Sequence, residues 1–182
     1  MVQDMGIGYI PEDRHKDGLV LDFSIAENVI LGQHRKPLFA KHGLIMKKKE
    51  IGETAEHLRE QYDIRCSGVD SAASTLSGGN QQKIVIARAI FRGPKAILAV
   101  QPTRGLDVGA IEYIHEALVE QRNQGKAVLL LSLELDEILS LSDRIAVIHK
   151  GKIVEIVDAH KTTREELGLM MLGHVTGKEE EA

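Results

Sequence analysis

Tryptophan is absent from this chain, and three tyrosines with three phenylalanines make up only 3% of its 182 residues. Aromatic faces are what single-stranded nucleic acids stack on. With 23 Lys and Arg against 27 Asp and Glu, the net charge of −4 offers no overall attraction for a phosphate backbone. Nucleic acid is therefore not expected as a partner. One cysteine, Cys66, excludes an internal disulfide and fits a reducing compartment. No apolar run reaches bilayer-spanning length and no signal-peptide pattern opens the chain, so membrane attachment is expected to come through a partner. Also missing is any Gly-x-x-x-x-Gly-Lys-Ser/Thr stretch, whose backbone cradle and lysine hold the β- and γ-phosphates of a bound nucleotide. The length suits one hydrophobic core.

What is present is the run Leu76-Ser77-Gly78-Gly79-Asn80-Gln81-Gln82-Lys83, followed by Pro102-Thr103-Arg104-Gly105-Leu106-Asp107. A Ser-Gly-Gly turn opening a helix gathers backbone N–H groups and the positive helix end at one point. The missing Cβ atoms let an anion come close. The natural ligand is a polyphosphate.

These runs, with Asp143-Arg144-Ile145 and Gly151-Lys152-Ile153-Val154 after them, resemble the ATP-binding cassette (ABC) ATPases from near Gly8 to about Asp158. The first run is similar to the family's signature motif. The second resembles the end of the Walker B strand plus the D-loop, and the third the strand pair after the switch region. Ile7-Gly8-Tyr9-Ile10-Pro11-Glu12-Asp13 resembles the Q-loop segment, which lies downstream of the phosphate loop in this family, so the chain is expected to start in mid-domain. The resemblance implies an α/β fold of the P-loop NTPase-like (RecA-like) ABC cassette type, truncated at the N-terminus, with a mostly parallel sheet and a helical subdomain. It also implies ATP and Mg²⁺ as cofactors of the full assembly, with neither held tightly by this part and no metal site of its own. Hydrolysis is expected of the parent ATPase and not of this part alone.

Four positions depart from the family pattern. Where the Walker B strand ends Asp-Glu, this chain has Val100 and Gln101; the switch histidine position carries Leu133, and the Q-loop glutamine position carries Glu12. Valine cannot approach a metal and an amide cannot accept a proton near neutral pH. Loss of a positioned general base typically costs ~10²–10⁴-fold in rate. In this family two cassettes pack head to tail, and each signature serves the nucleotide held by the other. Ser77, Gly78, Gly79 and Asn80 are thus expected to contact ATP in trans, with Asp107 of the D-loop acting across the dimer interface and Glu12 in a Q-loop-like coupling role.

Pro102 to Ala110, Asn80, Pro11-Glu12-Asp13-Arg14, Asp17-Gly18-Leu19-Val20 and Glu27-Asn28 are similar to the second cassette of tandem ATPases that energise bacterial sugar and nucleoside importers. Ala99-Val100-Gln101 favours the nucleoside branch. The resemblance implies three partners: a first cassette in the same parent chain, transmembrane permease subunits and, indirectly, an extracellular solute-binding protein. It places the protein peripherally on the cytoplasmic face of the bacterial membrane. The alternatives are a soluble ABC ATPase without a permease and a non-catalytic scaffold cassette.

Along the chain, residues 1–75 are expected to form the Q-loop-like segment and helical subdomain. Residues 76–176 would form the signature helix, core remainder and C-terminal helix, and 177–182 a disordered acidic tail. Ser24 with Glu27 reads as a capping box opening a helix to Leu31, and a second helix is expected from Lys48 to Tyr62 with a basic loop between. Helix then follows strand: Gly79 to Phe91, Ala96 to Val100, Val108 to Gln121, Ala127 to Leu131. The strands are continuous apolar runs, as in a parallel sheet covered on both faces. Ile145 to Ile148 and Ile153 to Val157 read as a hairpin. A last helix from Thr163 to Leu172 is expected to pack through Leu167, Met170, Met171 and Leu172. His34 and His42 lack the paired spacing of a helical zinc site. Lys41, Lys47, Lys48 and Lys49 could face anionic lipid, but a solvated helix start is the simpler reading.

Overall fold

The computed structural model describes residues 6–173, in two units of which the first ends at Leu131 and the second begins at Ser132. The expected tail at 177–182 lies outside the described residues. Among the described residues no helix is long and apolar enough to cross a membrane.

The first unit opens with β1 (Ile7–Ile10) and a π-helical turn, Arg14–Gly18. Asp13 caps that turn: its carboxylate accepts the N–H groups of His15 at 2.9 Å and Lys16 at 3.1 Å. These bonds, Lys16's first, hold the Asp13 pKa below its usual 3.8. The capping box forms as the sequence predicts and opens α1 (Ile25–Val29). There the Glu27 N–H donates to Ser24 Oγ at 3.1 Å, and the Ser24 N–H donates to the Glu27 carboxylate at 2.8 Å. The stretch read as a basic loop contains a small antiparallel hairpin, β2 (Ala40–Lys41) and β3 (Ile45–Met46), before α2 (Lys48–Gln61). Two-residue strands are too short to leave a periodic signal, so the hairpin escaped the sequence.

The signature run opens α3 (Gly78–Phe91), and β4 (Ala96–Val100), α4 (Val108–Asn123) and β5 (Ala127–Leu131) follow. The sheet is parallel throughout, in the order β1-β4-β5. α3 is buried at every position from Gln81 to Ala89, so it forms the spine of this unit. Its buried polar side chains reach backbone oxygens: Gln81 Nε2 donates to Ala73 O at 3.0 Å, Gln82 Nε2 to Pro102 O at 2.8 Å, and Arg88 to Asn28 O and Gly18 O. Burial, aided by the charge of Arg92, pulls the Arg88 pKa down to about 10. Ile10, Ile97, Ala99, Val128 and Leu130 join α3 and α4 in the core.

The opposite face of the sheet differs from the sequence reading of strands covered on both sides. Tyr9, Leu129 and Leu131 on that face are exposed, Leu129 at 62%, because the helices of this unit pack against the other one.

The second unit holds α5 (Leu135–Leu141), the antiparallel hairpin β6 (Arg144–His149) and β7 (Lys152–Asp158), and α6 (Arg164–Met171). Lys150 and Gly151 turn the hairpin with positive φ. Its core is Ile145, Val147, Ala159, Leu167 and Met170. Met171 and Leu172 are exposed, correcting the expected four-residue packing face. α6 ends at Met171, and Leu172 lies past its last turn.

Candidate nucleotide-contact site

Ser77 is exposed at the N-cap of α3, with extended backbone at φ −62°, ψ 156°. Its Oγ accepts from Asn80 Nδ2 at 3.0 Å and, more weakly, from the Asn80 N–H at 3.4 Å. A hydroxyl has two acceptor lone pairs and one proton to donate. With both lone pairs engaged, any further partner of this hydroxyl must itself be an acceptor. Asn80 is tied at its other end as well, since its Oδ1 accepts the Arg65 N–H at 2.8 Å. The Asn80 side chain therefore fixes the signature turn to the segment after α2.

The two glycines meet different neighbours. A Cβ on Gly78 would lie 2.7 Å from Arg14 Nη2, and one on Gly79 only 2.9 Å from Ala110 Cβ. The first obstacle is the end of a flexible side chain and the second is fixed to α4. Asp107 is exposed and caps α4 by accepting the Ala110 N–H at 2.9 Å. The tertiary fold thus brings Gly79, Ala110 and Asp107 together where α3 and α4 begin.

Arg14 carries no signal of a role in the sequence, where it stands only within the Pro11–Arg14 run. Its guanidinium lies beside the first turn of α3, where the helix end is already positive. Nη1 reaches Arg104 O at 3.5 Å, and the buried Nε has no hydrogen-bond partner among the described residues. A cation at a positive helix end favours an anion at that point. Beside it Glu12 pairs with Arg104, and His15 Nε2 contacts Gln81 Oε1 at 2.8 Å. Arg104 stood within the D-loop run, but nothing in the sequence tied it to Glu12.

The end of β4 is chemically different. Val100 is half-buried, and Gln101 adopts φ 47°, unusual for a residue with a side chain. Its N–H donates to Leu131 O at 2.8 Å and its carbonyl accepts the Arg104 N–H at 3.2 Å. Neither side chain supplies a carboxylate, and Glu12 is already paired with Arg104. These residues do not fit a resident Mg²⁺. No cluster of three acidic, His or Cys ligands occurs among the described residues. Leu133 belongs to the second unit and is exposed.

Residues 3–104 match the ABC transporter family. The chain belongs to that family. ABC ATPases generally bind ATP with Mg²⁺ and hydrolyse it, and the helix start at Ser77 suits the anionic end of such a ligand. This ABC chain is 53% identical over 172 residues to the nucleoside import ATP-binding protein NupA of Lactococcus lactis subsp. cremoris (strain MG1363), covering 94% of this chain and 34% of that protein. It is equally similar, at 53% with the same coverage, to the guanosine import ATP-binding protein NupO of Bacillus subtilis (strain 168). The glucose import ATP-binding protein TsgD13 of Haloferax volcanii is 44% identical, over 93% of this chain and 31% of its own length. The chain therefore spans about a third of the length of these curated relatives. Among solved structures, a dimeric post-hydrolysis state of the ATP-binding cassette MJ0796 bound to ADP and Pi superposes with a TM-score of 0.65 at 25% identity, covering 84% of this chain and 62% of that one. The α/β cassette fold expected from the sequence is the fold observed.

Proposed function

We propose that this chain is part of the ATP-binding subunit of an importer for a nucleoside or sugar, and that its signature turn completes an ATP site held by a second cassette. The observation that carries this reading is the Ser77 helix start. Its hydroxyl lone pairs are both engaged, Gly78 carries no side chain of its own, and the Arg14 guanidinium lies alongside. Attraction between an anion and a helix end amounts to ~0.3–1 kcal/mol when exposed and up to ~2 when partly buried. Such a contact is too weak to hold ATP alone but sufficient to complete a site built mainly by another cassette.

The end of β4 supports asymmetry between the two sites. With Val100 and Gln101 where a metal-holding acid and a base are needed, the site on this cassette's own strand turns over slowly or not at all. Residues 1–75, including Glu12, act as the coupling lobe toward permease subunits at the cytoplasmic face of a membrane, and Asp107 acts across the cassette interface. The names of the nucleoside and guanosine import relatives favour a nucleoside as the solute.

The test is steady-state ATPase activity of the assembled transporter carrying Ser77→Arg or Gln101→Ala. Strong loss with the first and little change with the second is expected. Comparable loss from both would mean that Gln101 takes part in turnover. No loss from either would favour a scaffold cassette.

A further inference from the structure

From Asn28 to Lys49 the chain has no aspartate or glutamate, yet it carries Arg35, Lys36, Lys41, Lys47, Lys48 and Lys49. In a chain of net charge −4 this is a marked segregation of charge. The β2–β3 hairpin lies within this stretch. Its base is fixed in the core: Phe39 is fully buried with its ring centroid 6.2 Å from that of Phe91, Ala40 is buried beside it, and the Lys47 N–H donates to Phe39 O at 2.9 Å. Its tip points the other way. His42 and Gly43 turn the chain with positive φ, and Leu44 and Ile45 are exposed at 83% and 66%, with Leu38 and Met46 exposed nearby. Lys41 pairs directly with Ile45 across the ribbon, so these two side chains share its outer face, while Ala40 faces the core.

We propose that this hairpin contacts the surface of an anionic membrane. Leu44 and Ile45 enter the interfacial layer while Lys41, Lys48, Lys49 and Arg35 meet the lipid phosphates. An apolar tip in a basic stretch, with Glu53 at its edge 3.8 Å from Lys49, matches a surface that is apolar at depth and anionic at its rim. Nucleic acid would use the charge and leave Leu44 and Ile45 in water. A protein pocket would take the apolar tip without calling for a stretch free of acids. The lysine stems also cover apolar surface while their ammonium groups stay at the headgroups. The proposal needs no nucleotide and stands apart from the ATP site.

The test is co-sedimentation of the full chain with phosphatidylcholine vesicles, with and without added phosphatidylglycerol. Binding is expected only with the anionic lipid. Lys41→Gln/Lys48→Gln/Lys49→Gln should weaken it on the order of 10²-fold, each lysine contributing about fivefold near an anionic surface. Leu44→Ser/Ile45→Ser should weaken it at least about tenfold at unchanged charge. All these positions are exposed, and unchanged thermal melting verifies that the variants fold. Absence of binding to anionic vesicles, equal binding to both vesicle types, or binding indifferent to Leu44→Ser/Ile45→Ser would each overturn the proposal. So would retention on duplex DNA that survives Leu44→Ser/Ile45→Ser while vesicle binding is absent, which would identify nucleic acid as the occupant.

Discussion

Glu12 forms an ion pair with Arg104, joining the segment after β1 to the turn before α4. Both side chains are about half exposed or more, at 49% and 67%, so solvent screens the pair and its worth is under ~1 kcal/mol. Glu12→Ala should therefore change the unfolding free energy by less than that amount. The charge-swapped Glu12→Arg/Arg104→Glu variant should recover most of what Glu12→Arg loses. A double-mutant cycle in urea measures the coupling, and a value well above ~1 kcal/mol would contradict the screened geometry.

Gly79 is a packing glycine. Alanine there would add helix propensity, but its methyl group would sit 2.9 Å from Ala110 Cβ, and α3 would have to move off α4. Gly79→Ala should destabilise the chain by ~1–3 kcal/mol. Ala110→Gly in the same chain should restore part of the loss. The readout is the urea midpoint at unchanged slope.

Asp63 accepts a hydrogen bond from Lys83 Nζ at 3.1 Å, and that bond first, with the lysine's charge, holds its pKa below the usual 3.8. A carboxylate with a depressed folded pKa contributes stability that is present above its unfolded value and lost as pH falls through the folded one. Unfolding free energy should thus decline as pH drops below about 3.8 toward the depressed value. Asp63→Asn should flatten that part of the profile. Asparagine tolerates the positive φ of 44° at this position, so a backbone effect is not expected to intrude.

Phe39→Ala should cost ~3–5 kcal/mol, since the ring is fully buried against Phe91 and leaves a cavity behind. Because the buried Phe39 ring holds the start of the β2–β3 hairpin in the core, hydrogen exchange at residues 40–47 should rise more than in α4. Equal increases in both places would mean that the hairpin and α4 open as one unit.

Much of the local order was legible in the sequence because its signals are short-range. A capping box spans four residues, and Ser24 with Glu27 forms one as read. The apolar runs at Ala96–Val100 and Ala127–Leu131 form strands with those bounds. Ser77 opens α3 as the Ser-Gly-Gly run implies. The β2–β3 hairpin and the turn at Arg14–Gly18 were not legible, being too short to impose a period.

The sequence by itself determined the family, the helix start at Ser77, and the absence of an acidic side chain at Val100 and Gln101 where β4 ends. These depend only on which residue types stand at which spacing. Only the tertiary structure decided that Arg14 lies beside Gly78, that Arg104 takes Glu12, that Gly79 is needed against Ala110, and that Leu44 and Ile45 stand out in solvent. Each of those is set by the approach of segments distant in the chain, and no local propensity encodes which side chain a folded backbone will bring within a few ångströms of another.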